Sequence, residues 1–205
     1  MNDRDLDFKR IHDTYAPKIR RYLERLAGKD DAEDLTQETF ARISRSFHTF
    51  KGEAGLWTWI YKIATNTAID RLRENRIAKS GIALDEAEQM EDQDIWTGER
   101  RTLEDQIIRN EMNDCIRNVV FRLPEAYRAV IILSEFEGFT NEDIARILGL
   151  SLDAAKIRLH RARTRLKEEL SKQCILYRDD RNEFACEQKH DALLRKDQIV
   201  SLIKK

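Results

Sequence analysis

The sequence predicts an all-α fold of two small helical domains, joined by a flexible acidic linker and followed by a C-terminal tail. Three observations carry this. Turn-forming residues are rare, with seven Gly and two Pro in 205 residues, which favours long helices over a turn-rich β architecture. Apolar residues recur at helical spacing in two stretches, about 1–76 and 109–172. Between them, in 77–108, the periodicity fails. From Asp85 through Asp105, Asp85, Glu86, Glu88, Glu91, Asp92, Asp94, Glu99, Glu104 and Asp105 face only Arg100 and Arg101, the signature of a solvated, flexible connection. Fully extended, ~30 such residues reach about 100 Å, enough for the flanking domains to act at separated sites.

The segment from Asp7 to about Arg76 reads as four helical stretches. The first carries Phe8, Ile11, Tyr15, Ile19, Tyr22, Leu23 and Leu26 on one stripe, and Gly28 ends it. A second starts near Asp31 and continues through Leu35, Phe40, Ile43 and Phe47. Another covers roughly Gly55 to Asn75, with Leu56, Trp59, Ile60, Ile63, Ala64, Ala68 and Leu72 on one side. In the second domain one helix ends near Phe121, and the next begins at Pro124, whose missing N–H is not needed in a first turn. It carries Val130 to Leu133 and stops at Gly138. Thr140 followed by Asp143 is a capping-box-like start for a short helix that Gly149 closes, and Ser151 is a favoured N-cap for the last one.

Bulk properties exclude several classes. Charged residues make up 37% of the chain but nearly cancel, to a net −1. That argues against a non-specific nucleic-acid coat but not against a localised DNA-binding face. No stretch approaches the ~20 consecutive apolar residues of a membrane span, and the charged N-terminus MNDRDLDFKR lacks a signal peptide's apolar core. Three cysteines do not make a disulfide framework. A soluble cytoplasmic protein is expected. With no phosphate-cradling glycine loop, nucleophile elbow or close pair of metal ligands, no catalytic activity and no cofactor are expected.

The sharpest motif is TNEDIARILGLSLDAAKIRLHRAR, Thr140–Arg163. A helix-turn-helix needs a small residue where its helices touch (Ala145) and one that tolerates positive φ at the turn (Gly149). It also needs apolar residues to close the wedge, here Ile144, Leu148, Leu150, Ala155 and Leu159. The second helix buries Ala155, Leu159, Ala162, Leu166 and Leu170 and turns basic residues outward. Lys156, Arg158, His160 and Arg161 are the candidate contacts in a major groove, where Lys and Arg meet phosphates and the O6/N7 edge of guanine. Arg163 and Arg165 lie further along, as phosphate anchors or as plain solvated residues. A basic face alone usually means only a solvated helix; its union with the Ala–Gly–Ser turn points to DNA.

A second constellation spans Phe47 to Arg76. Phe47, Phe50, Trp57, Trp59 and Tyr61 cluster in a chain only 8% aromatic, behind the loop Lys51–Gly55. Lys62, Thr65, Asn66, Asp70 and Arg73 lie across the helix from its apolar stripe. Aromatic platforms, base-edge hydrogen bonds and basic groups are what unpaired DNA requires, and an extruded base would sit against the loop. Trp59 and Phe50 are expected in the core. Lys62, Thr65, Asn66 and Arg73 are the surface candidates. Just upstream, DAEDLTQETF (Asp31–Phe40) sets Asp34, Gln37 and Glu38 on one helical face, fit to dock a basic helical partner.

These motifs together resemble the extracytoplasmic-function sigma factors, the two-domain branch of the sigma-70 family. The resemblance covers about Phe8 to Lys172, in the family's order around a divergent linker. It implies a factor that directs core RNA polymerase to promoters, in response to stress. Asp34, Gln37 and Glu38 would contact the β′ clamp helices. Residues 1–76 would form a region 2-like domain that melts and reads the minus-ten element, with Asn66 and its neighbours on the unpaired strand. Residues 109–172 would form a region 4-like domain on the minus-thirty-five element and the β flap. An anti-sigma factor is the further partner implied. Ile157 departs from the small polar residue of many relatives.

The tail, 173–205, lies outside this two-domain minimum. Cys174, Cys186 and His190 offer thiolate and imidazole to zinc, with Cys115 or a partner completing the set, although no CxxC knuckle is present. A short amphipathic stretch follows, with Leu193, Leu194, Ile199, Val200, Leu202 and Ile203. Two rival readings are a stand-alone helix-turn-helix regulator and a thiol- or metal-responsive sensor acting through this tail.

Overall fold

A computed structural model describes residues 3–50, 52, 55–79, 115–178 and 184–188. Its helices are α1 (Asp3–Ala27), α2 (Lys29–Ser46), α3 (Leu56–Lys79), α4 (115–122), α5 (Glu125–Ile131), α6 (Asn141–Leu148) and α7 (Leu152–Gln173). A 3-10 turn, Phe47–Thr49, follows α2, which stops at Ser46, one residue before Phe47. The all-α class holds for the two domains. The tail adds one antiparallel hairpin, β1 (Cys174–Arg178) with β2 (Phe184–Gln188), in which Cys174 pairs with Gln188 and Leu176 with Cys186. The amphipathic stretch at 193–203 and nearly all of the expected linker lie outside the described residues. Helix α3 runs three residues past Arg76, into the segment read as linker.

The contacts gather the helices into two compact units. One contains α1–α3 together with α5, α6 and the first part of α7; the other contains α4, the end of α7 and the tail. In the first unit Ile19, Tyr22, Leu23 and Leu26 of α1 are fully buried, as are Leu35 and Ile43 of α2 and Ile60, Tyr61, Ala64 and Ala68 of α3. Each large side chain so buried contributes roughly 1.5–3 kcal/mol of hydrophobic free energy. Helix α3 packs against α1, α2 and α6. Its buried arc is therefore wider than a one-sided stripe.

Pro124 stands at the N-cap of α5 rather than in its first turn, with its carbonyl accepting from the N–H groups of Tyr127 (2.8 Å) and Arg128 (2.9 Å). Arg128 is buried and donates to the Leu26 carbonyl at 2.8 Å. Burial lowers its guanidinium pKa to about 10, with Glu125 opposing the shift. After Ile131 the helix widens into a π turn, Ile132–Phe136, whose end is marked by a bond from Glu137 N–H to the Ile132 carbonyl. Such single π turns re-aim the residues that follow them and recur at functional sites.

Here the re-aimed residue is Glu137. One carboxylate oxygen accepts from Arg25 at 2.9 Å and the other from the Tyr61 hydroxyl at 2.5 Å. Arg25 and Glu137 are only 15% and 11% exposed, so this is a largely desolvated ion pair in which every retained hydrogen bond matters. Phe136 lies against Arg25, with the guanidinium 5.3 Å from the ring centre. Phe139 carries the contact onward, edge-on to Tyr61 and stacked at 6.1 Å on Trp57. Thr58 donates to Asp143 of α6 at 3.2 Å.

Candidate nucleic-acid interface

The turn between α6 and α7 is built as its sequence demands. Thr140 caps α6, its hydroxyl oxygen accepting from the Asp143 N–H at 3.2 Å. Gly149 ends the helix in the left-handed region at φ 64, a conformation that costs an L side chain about 1–2 kcal/mol. The Leu150 N–H returns to the Ala145 carbonyl at 2.9 Å. Ser151 then caps α7 by accepting from the Ala154 N–H at 3.2 Å. Of the residues named for the wedge, Ile144, Ala155 and Leu159 are buried, as is Ala145 at the turn, while Leu148 and Leu150 are half-buried; Ile147, which the motif reading did not name, is fully buried.

On α7, Lys156, His160 and Arg161 are exposed, while Arg158 is half-buried. At about 100° per residue, Ile157 falls nearly opposite the centre of the buried stripe, and it is 52% exposed. An uncharged side chain thus sits in the middle of the basic face. Further along, Arg165 is held by Glu169 at 3.1 Å and Glu168 at 3.6 Å; a hydrogen bond donated by Lys172 at 2.9 Å, foremost, and the Arg165 charge hold the Glu169 carboxylate below its usual pKa. Arg165 is thus paired within its own helix.

On α3, Lys62, Asn66 and Arg73 are all exposed, and at about 100° per residue they fall within roughly 40° of one another. They form one polar ridge. Thr65 does not join them, which corrects the expectation of a surface role. It is fully buried, donates to the Tyr61 carbonyl at 2.6 Å and meets the Tyr22 hydroxyl at 2.8 Å. The physical reason is the wide buried arc of α3: one turn from Tyr61, Thr65 faces α1. Burial, foremost, raises the pKa values of both phenols, Tyr22 and Tyr61, well above the usual range, with the Glu137 charge adding to the effect.

The aromatics divide into two groups. Trp57 packs on Tyr15 (5.1 Å) and Tyr61 (4.3 Å) and lies under the Lys18 ammonium at 5.3 Å. Trp59 packs on Phe50 (5.2 Å) and Phe47 (6.4 Å). Trp59 and Phe50 are half-buried in that second cluster, not sealed in the core. Of the loop before α3, Gly52 and Gly55 fall among the described residues; both are exposed, and Gly52 has φ 74.

On α2, Asp34 and Gln37 are exposed. Glu38 is committed elsewhere: Arg42 donates to it at 2.6 and 3.1 Å, and Arg71 of α3 approaches to 3.5 Å. The hydrogen bonds that Arg42 donates to Glu38 raise the Arg42 pKa. The acidic face is thus partly neutralised from within, leaving Asp34 and Gln37 as its outward groups. Neither Arg42 nor Arg71 was singled out by the sequence. An i to i+4 Glu–Arg spacing signals the first, and nothing local signals the second.

Of the residues considered for zinc, Cys174 is buried beside Cys115; the side chain of Cys186 and all of His190 lie outside the described residues. Among the described residues no group of three His, Cys, Asp or Glu side chains is placed to hold a metal, and no helix is long and apolar enough to cross a membrane.

Comparison with known proteins finds two matching families along the chain. The family description Sigma-70 region 2 matches residues 11–77, and Sigma-70, region 4 matches residues 113–166. The chain is 31% identical to the ECF RNA polymerase sigma-E factor of Haemophilus influenzae, over 80% of this chain and 87% of that one. It is 32% identical to the ECF RNA polymerase sigma factor SigW of Bacillus subtilis, over 80% and 88%. Among solved structures, the sigma factor RpoE of Bartonella quintana, in complex with the anti-sigma factor NepR, superposes with a TM-score of 0.61 at 25% identity, covering 80% of this chain and 97% of that one. The chain belongs to the extracytoplasmic-function sigma factors of the sigma-70 family, the transcription initiation factors that direct RNA polymerase to promoters.

Proposed function

We propose that this sigma factor divides its work between two exposed faces, one on α7 for duplex DNA and one on α3 for the unpaired strand. The observation that carries the reading is the doubly capped α6–α7 turn, which presents Lys156, His160 and Arg161 together to solvent. Such a helix suits the major groove at minus thirty-five, where phosphate contacts fix register and base-edge contacts specify sequence. Arg158, half-buried beside the wedge, serves at its rim. The ridge of Lys62, Asn66 and Arg73 combines an amide with two cations, the chemistry needed to hold minus-ten bases out of the stack. Thr65 supports that helix from inside. Asp34 and Gln37, with Glu38 braced behind them, suit the β′ clamp helices.

Residues 1–76 thus act as the melting domain, 77–108 as the linker and 109–172 as the minus-thirty-five and β-flap domain. The factor works in the cytoplasm, carries no catalytic activity and needs no cofactor, since the polymerase performs the chemistry. An anti-sigma factor is its regulatory partner, in response to stress; the Bartonella quintana relative is held in such a complex.

Asn66→Ala tests the assignment of the unpaired strand. With holoenzyme on promoter DNA, initial binding should remain within about twofold. Permanganate reactivity of minus-ten thymines should develop about tenfold more slowly, because amide hydrogen bonds to extruded bases, each worth about 0.5–1.5 kcal/mol, are lost. Equal loss at both steps would remove Asn66 from the melting role.

A further inference from the structure

Cys115 lies on α4 and Cys174 opens β1, 59 residues apart in the chain, yet their sulfur atoms lie 3.1 Å apart. Both belong to the same compact unit. Two thiolates on one tetrahedral zinc stand about 3.8 Å apart, given Zn–S bonds of about 2.3 Å. The pair is closer than that, and about 1 Å short of a covalent S–S bond. We propose that Cys115 and Cys174 are a modification site: hydrogen peroxide converts them to a reversible disulfide that fastens the C-terminal hairpin to α4.

Both residues are buried, Cys115 at 9% exposed and Cys174 at 2%. In the proposed sequence the less buried residue, Cys115, is oxidised first. Its thiolate attacks one peroxide oxygen; the S–O bond forms, the O–O bond breaks, and the departing hydroxide takes up the thiol proton as water. The Cys174 thiolate then attacks the sulfenic sulfur; the S–S bond forms, the S–O bond breaks, and the second hydroxide leaves as water with the Cys174 proton. Two thiols lose two electrons, and the peroxide is reduced to two waters. A dithiol reductant reverses the bond through a mixed disulfide. Because the neighbouring thiol is already in contact, the sulfenic acid is captured before it is over-oxidised.

The consequence is topological. The bond closes a loop that contains α5, α6 and α7, tying down the start of the tail and removing freedom from the unfolded chain. The site needs neither polymerase nor promoter, so its test is independent of the assignments made above.

The experiment exposes the reduced full chain to equimolar hydrogen peroxide, alkylates the remaining thiols and maps cross-linked peptides by mass spectrometry. The expected product joins Cys115 to Cys174 within one chain. It should form at an unchanged rate in Cys186→Ser and be abolished in Cys115→Ser and Cys174→Ser, with helical circular dichroism confirming that each variant folds. The oxidised chain should melt several degrees above the reduced one, and a dithiol reductant should restore the lower midpoint. A cross-link involving Cys186, or oxidation of Cys115 that ends in sulfinic acid with Cys174 still reduced, would overturn the proposal.

Discussion

Glu137→Ala should lower the free energy of unfolding by about 3 kcal/mol, the lower end of the range for breaking a buried ion pair, because this pair keeps some solvent contact. The substitution leaves the Arg25 guanidinium, 15% exposed, without its carboxylate, and takes the acceptor from the Tyr61 hydroxyl. Glu137→Gln, which preserves shape and a hydrogen-bond acceptor, should cost less than half as much. Denaturant titration followed by circular dichroism measures both. The phenols give a second readout. In the folded chain the Tyr22 and Tyr61 pKa values stand above the ordinary 10.0, so folding retains their protons. The stability linked to them is whole below pH 10.0 and is lost as the pH climbs past that value. Removing Glu137 takes away one of the charges that raise Tyr61, so tyrosinate absorbance in Glu137→Ala should rise at lower pH than in the parent. An unchanged alkaline titration would show that the Glu137–Tyr61 contact has no weight in solution.

The double substitution Lys156→Ala with Arg161→Ala should weaken holoenzyme binding to promoter duplex by at least a hundredfold at low salt. Each cation that meets DNA is worth about 1–3 kcal/mol when it reaches a base edge, and each phosphate it neutralises contributes roughly 0.9 to the slope of log affinity against log salt. The affinity loss should therefore come with a slope shallower by one to two. Ile157→Ala should behave differently. An exposed apolar side chain amid cations can meet a thymine methyl, so its removal should leave the salt slope intact and flatten the preference for thymine over deoxyuridine at one minus-thirty-five position. Fluorescence anisotropy across a salt series resolves the two patterns. A uniform loss for all three residues without any change of slope would mean that α7 does not face the duplex.

The α6–α7 turn could be read from the sequence because its requirements are local. A capping hydroxyl at Thr140, a left-handed position at Gly149 and a second cap at Ser151 are each decided within a few residues, and all three occur where expected. The ridge of Lys62, Asn66 and Arg73 was legible for a similar reason, since helical spacing alone places those side chains together. Thr65 was misread because spacing does not reveal how many neighbours flank a helix; α1, α2 and α6 all pack on α3, and the arc they bury includes it. Glu137 carried no signal at all. Its position depends on a π turn, one extra residue in a helix that otherwise looks ordinary, and on partners 112 and 76 residues away. The approach of Cys174 to Cys115 is equally non-local, as is the brace that Arg71 adds to Glu38. Local chemistry showed which surfaces could meet DNA. The interactions that hold those surfaces in place come from distant parts of the chain.

Run-off transcription by core polymerase from the same cells, on a library of its genomic promoters with and without this chain, tests the central claim most directly. The account predicts new transcript starts that require the chain and disappear with the Lys156→Ala, Arg161→Ala double variant. A folded, helical chain that neither joins the core enzyme nor yields a single new start would contradict it.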